Sequence, residues 1–152
     1  MTYLPRAYAT PDDLEARAHM MSAAAMGATA FQKGLGAIHA MSHPVGAVFN
    51  THHGTTNAVC MPAVLAFNAD TIRGRFDQAA AYLGIDGGFD GFCEFVQQFN
   101  DSFAIPRTLT EMGVSEDRLD DLVAMALEDP SCGGNPVELT ADGLRGLFRA
   151  CF

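Results

Sequence analysis

Basic residues are scarce in this chain: 9 Lys and Arg stand against 18 Asp and Glu, for a formal net charge of −9. A phosphate backbone is repelled by that balance, and no local basic stripe reverses it, so no nucleic-acid partner is expected. Paired cysteine motifs are also missing. Cys60, Cys93, Cys132 and Cys151 are scattered with no CxxC, which fits reduced thiols and a cytoplasmic protein better than a disulfide framework. The opening MTYLPRAYATPDDLEAR lacks the basic end and apolar run of a signal peptide, so export is not expected. Alternating strand patterns and internal repeats are absent as well, which leaves an all-α fold. The hydrophobic fraction of 49% over 152 residues suits one helical domain spanning 1–152 with its own core.

The most telling absence is local. From Gly34 to Asn68 there is no Asp, Glu, Lys or Arg, yet this stretch holds four of the five histidines: His39, His43, His52 and His53. Its length alone resembles a membrane span, but the histidines, asparagines, glycines and prolines would leave polar groups unpaired in lipid. A buried segment that carries a site is the better reading.

Helices are expected at about 11–33, 35–48, 55–67, 69–83, 89–103, 115–127 and 140–150, with Gly, Pro and Asp between them. Thr10-Pro11-Asp12-Asp13 reads as a capped start, Pro11 having the φ of a first helical residue. Ala23, Ala24, Ala25, Gly27, Ala28 and Ala30 are small on every side, which predicts a crowded interior around that first helix. Pro44 predicts a kink or a fresh start within the second helix. Ser115 and Thr140, each polar and ahead of an amphipathic run, are the expected caps of the last two.

His39 and His43 lie one helical turn apart on one face. His53 follows on the turn Asn50–Gly54, and a chain that doubles back there brings its ring beside His39. Imidazole is a common ligand for zinc and iron, although a full site wants further ligands. His52 is the weakest member, because adjacent residues seldom point at one centre. A lone histidine in an apolar helix is usually a hydrogen-bonded core residue; three in an uncharged segment weigh against that. HAMSH is no zinc-peptidase motif, since Ala40 stands where HExxH needs its glutamate base.

The run GLGAIHAMSHPVGAVFNTHHGTTNAVCMPAVLAFN resembles the C-terminal metal-domain signature of the iron-containing (group III) alcohol dehydrogenases, among them the lactaldehyde/propanediol oxidoreductases and maleylacetate reductases. The resemblance extends over PRAYATPDDLEARAHMMSAAAMGATAF before it and over AIPRTLTEMGVSEDRL and SCGGNPVELTADGLRGLF after it. It implies a helical bundle in which His39 and His53 bind iron(II) or zinc. It also implies that His43 sits near the nicotinamide of NAD(P) as a proton-relay, catalytic and cofactor-contacting residue. The ion would be a Lewis acid toward the oxygen of a small alcohol or aldehyde while hydride passes to or from the nicotinamide.

The family's other two ligands, an aspartate and a histidine in a DxxxHAxE-like helix, and its GGGS-like phosphate loop are not in this sequence. The expectation is therefore the rear portion of an enzyme, inactive alone, lacking the N-terminal NAD(P)-binding domain and the first part of the metal domain. Its partners would be a second copy or a separately encoded N-terminal half. Glu15 and His19 imitate the missing pair but read better as an i,i+4 pair on a solvated face. In SCGGNP, Ser131 is either part of a plain turn or near the substrate cleft, and Cys132 reads as structural. Asn57 either lines the pocket, caps a helix or bonds behind the ligands. The reading from another class is a stand-alone histidine-based metal-binding or assembly module.

Overall fold

The computed structural model describes all residues from Met1 to Phe152, and every regular element in it is helical. The chain forms two compact units, 1–34 and 35–152.

The first unit pairs a short helix α1 (Tyr3–Ala9) with α2 (Leu14–Ala30), which runs into a 3-10 turn at Phe31–Lys33. Helix α1 is unforeseen in the sequence; its Pro5 lies in the first turn, where no backbone donor is required. Thr10 does not cap α2. It ends α1 instead, its N–H donating to the Arg6 carbonyl at 2.9 Å, and Asp13 becomes the cap by accepting from Ala16 N–H at 3.0 Å. Arg6 fixes the corner with bonds to Asp13 and Glu15, both at 2.8 Å. The crowded interior expected around α2 is not found. Only Ala16 is buried, and Met21 and Met26 are 74% and 71% exposed, because within this unit the small residues meet nothing longer than α1.

The second unit is built on α3 (Ala37–Phe49) and α4 (His53–Leu83). Helix α5 (Gly88–Ser102) returns along α4, and α6 (Leu119–Glu128) and α7 (Ala141–Cys151) close the other side. Met41 and Val45 of α3, Cys60 and Val64 of α4, Leu122 of α6 and Leu144 and Phe148 of α7 share one core with Leu109. A second cluster, Leu65, Phe89 and Val96 with Phe76, Phe92 and Phe95 against it, glues α5 to α4. Within the main core Cys60 meets Cys151; that hydrogen bond and burial push the Cys60 thiol up, so it behaves as an inert packing residue.

At two points no new helix begins where a start was expected. Pro44 lies inside α3 without ending it, and the two helices expected on either side of Asn68 are one 31-residue helix. Pro62 in α4 cannot donate to the carbonyl of Ala58, and Asn100 of α5 supplies the missing bond at 3.1 Å. Asn68 does not interrupt the backbone because its side-chain amide is paired end to end with that of Asn135, at 3.0 and 2.9 Å. Asn135 also accepts from Ala37 N–H at 3.2 Å and donates to the Val137 carbonyl at 2.7 Å. One side chain thereby caps α3 and ties the 130–136 segment to α4.

The caps at the far end appear as expected. Ser115 accepts from Asp117 N–H at 3.3 Å, opening a 3-10 turn that leads into α6, and Thr140 accepts from Gly143 N–H at 3.1 Å at the head of α7. No helix is long and apolar enough to cross a membrane.

Candidate functional site

Helix α3 ends at Asn50 in the left-handed conformation, φ 54° and ψ 39°, which reverses the chain within a few residues. His52 then caps α4, its ring Nδ1 accepting from Thr55 N–H at 3.3 Å, so its role is helix initiation. His53 becomes the first residue of α4 rather than part of an open turn, and its ring faces back toward α3. The rings of His39, His43 and His53 form a triangle with centroid separations of 5.6, 5.2 and 5.4 Å.

Asn57, one turn beyond His53, organises two of these rings. Its Nδ2 lies 3.1 Å from His53 Nε2 and 3.5 Å from His39 Nε2. A donor shared in this way requires both Nε2 atoms to carry lone pairs aimed at a common point. Asn57 Oδ1 is buried with no hydrogen-bond partner. The environment also keeps His39 neutral. Burial, followed by the neighbouring His53 and His43, lowers its pKa, with Asp129 opposing. Two imidazoles whose Nε2 atoms converge on one point fit two ligands of one divalent ion. No group of three or more His, Cys, Asp or Glu is placed to hold an ion.

The third ring is engaged differently. His43 Nδ1 lies 2.7 Å from Asp129 Oδ2, an aspartate that sequence reasoning missed. Asp129 opens the 3-10 turn Pro130–Gly134, and its Oδ1 accepts from Ser131 N–H at 2.7 Å. Burial raises the Asp129 pKa, but the hydrogen bonds from Ser131 and His43 outweigh it and hold the carboxyl below the usual range. The sequence signal available for it was Asp129-Pro130-Ser131, a capping residue before a proline turn. Ser131 is buried, and its backbone N–H ties it to Asp129, the partner of His43. Cys132 donates its thiol to the Ala126 carbonyl at 3.0 Å, and burial raises its pKa, as befits a structural thiol.

Glu15 and His19 do not pair with each other as expected. Glu15 binds Arg6, and the His19 ring stacks on Tyr3 at 3.8 Å. A groove of ≈ 380 Å³ beside Pro62, Glu94, Asn100 and Arg107 contains none of the histidines.

This arrangement has relatives. 4-Hydroxybutyrate dehydrogenase of Cupriavidus necator is 40% identical over 96% of this chain and 40% of its own length. NAD-dependent methanol dehydrogenase of Bacillus methanolicus is 36% identical over 97% of this chain and 41% of its own length. Among solved structures, a 1,3-propanediol oxidoreductase superposes with a TM-score of 0.90 at 28% identity, over 97% of this chain and 41% of that one. The chain thus spans about two-fifths of the length of these proteins. Residues 1–152 match the Fe-containing alcohol dehydrogenase family, C-terminal, throughout. With the signature histidines, the all-helical architecture and the full-length match in agreement, the chain belongs to the iron-containing alcohol dehydrogenase family, of which it represents the C-terminal helical part.

Proposed function

We propose that this chain is the metal-holding helical portion of an NAD(P)-dependent alcohol dehydrogenase that interconverts small alcohols with aldehydes or ketones. The observation that carries the reading is the convergence of His39 Nε2 and His53 Nε2 on Asn57 Nδ2. A cation at that point would replace the amide proton as the partner of both lone pairs. His39 and His53 would hold iron(II) or zinc, and when bound the ion supplies Lewis acidity for the substrate oxygen. Other contributions come from this chain's own residues. Burial keeps His39 unprotonated, Asn57 orients both rings and lines the pocket, and His43 relays a proton beside the nicotinamide. Ser131 serves the pocket through Asp129.

Two ligands are fewer than the four of an ordinary zinc-like site. The remaining ligands and the nicotinamide-binding domain would come from outside these 152 residues, in the same protein, a partner subunit or a separately encoded half. On its own the chain is inactive in this reading. Its thiols, all free, suit the reducing cytoplasm.

The test is metal binding by the purified chain and three variants, measured by titration with iron(II) or zinc and by mass-spectrometric metal content. His39→Ala and His53→Ala each lose most of the bound metal, while His43→Ala keeps it. Equal retention in all three variants overturns the ligand assignment.

A further inference from the structure

Asp129 uses its two carboxylate oxygens for two different jobs. Oδ1 caps the turn Pro130–Gly134 by accepting from Ser131 N–H at 2.7 Å, while Oδ2 meets His43 Nδ1 at 2.7 Å. Capping needs only one oxygen, and Asn, Ser or Thr would serve as well. The second oxygen therefore has a separate meaning. A carboxylate only accepts, so the nitrogen facing it must carry the proton, and the neutral ring is left with its lone pair on Nε2. The aspartate side chain is 13% exposed and the His43 side chain 42% exposed, so the bond is anchored on the protein side while the ring keeps an open flank. On one face the His43 ring stacks with His53, the planes 16° apart, which restricts rotation further.

We propose that Asp129 is the positioning residue of this site: its carboxylate locks His43 in the Nδ1–H tautomer and presents Nε2 as the proton-accepting nitrogen for the alcohol. The proposal rests on the reading of His43 as the relay residue given above. Catalysis of proton transfer depends on the acceptor lone pair being aimed at the proton it takes. The backing carboxylate does for His43 what a second partner commonly does for a working histidine, fixing both tautomer and ring angle.

The geometry makes an unusually selective substitution available. In Asp129→Asn the amide oxygen can keep the cap on Ser131 N–H, which turns the NH2 group toward His43. That group donates, so Nδ1 must accept and the ring proton moves to Nε2. The experiment is long-range 15N–1H correlation NMR on the 15N-labelled, metal-free chain, at a pH where the His43 ring is neutral. His43→Gln identifies its signals. Expected are a wild-type ring with the proton on Nδ1 as its main form, and an Asp129→Asn ring with the proton on Nε2. A wild-type ring protonated mainly on Nε2, or an Asp129→Asn ring still protonated on Nδ1 with backbone amide signals otherwise in place, overturns the proposal. Should Asp129→Asn fail to fold, Asp129→Ser retains a capping oxygen and removes the carboxylate; the proposal then requires Nδ1–H to lose its majority, and an unchanged tautomer overturns it. Because the tautomer is read without metal, this outcome is separate from the ligand test on His39 and His53.

Discussion

Replacing Asn135 by Ala should be among the most damaging single changes in the second unit, and the structure says by how much. Asn135 makes four side-chain hydrogen bonds: two with Asn68, one from Ala37 N–H and one to the Val137 carbonyl. Asn68 is only 4% exposed, so its amide, once abandoned, has no water to turn to. A typical hydrogen bond contributes about 1 kcal/mol net, but a buried polar group left unpaired costs about 1–3 kcal/mol. Stranding the Asn68 amide together with the first N–H of α3 gives a loss of about 3–5 kcal/mol, against a whole-domain stability of about 5–15 kcal/mol. In urea, with a slope of about 1–3 kcal/mol per molar, the midpoint should fall by about 2 M. The informative experiment is a double-mutant cycle with Asn68→Ala. Removing both amides strands neither, so the double variant should be more stable than the sum of the single losses predicts, by about 2 kcal/mol. A midpoint shift below about 0.5 M for Asn135→Ala, or strict additivity in the cycle, would refute the reasoning.

Other consequences are equally concrete. A Cβ on Gly134 would overlap the carbonyl oxygen of Leu35, a backbone atom that cannot swing aside, so Gly134→Ala should cost about 1–3 kcal/mol in urea unfolding. Leu122→Ala empties a fully buried position in the main core and should cost about 2–5 kcal/mol, with the midpoint again the readout. The Asp129 carboxyl is held below its ordinary pKa in the folded state, so its ionised form adds stability at neutral pH. That contribution is present above the unfolded value of about 3.9 and is lost as the pH falls through the folded one. Unfolding midpoints of wild type and Asp129→Asn should therefore differ at pH 7 and draw together on acidification below about pH 4; a gap that persists or widens in acid would contradict the assignment.

Much of the protein is written in short-range features of its sequence. The lack of alternating patterns set the helical class, and Ser115 and Thr140 marked two helix starts because a cap is decided within three residues. The clustering of His39, His43 and His53 was legible for the same reason: one helical turn and one tight reversal bring the rings together whatever the rest of the chain does. What the sequence did not reveal depends on partners far along the chain. Helix α4 passes through Pro62 and Asn68 because Asn100 and Asn135 satisfy what those residues would otherwise leave open. The exposure of α2 follows from which surfaces lie against it, something small side chains permit without specifying. Asp129 meets His43 across 86 residues, a contact set by how the turn after α6 packs on α3. The sequence by itself determined the helical class and the clustering of the histidine trio, since these arise from backbone periodicity and one local reversal. Only the tertiary structure decided which nitrogen of each ring faces which partner, because a hydrogen bond between distant residues exists only once packing has brought donor and acceptor within reach.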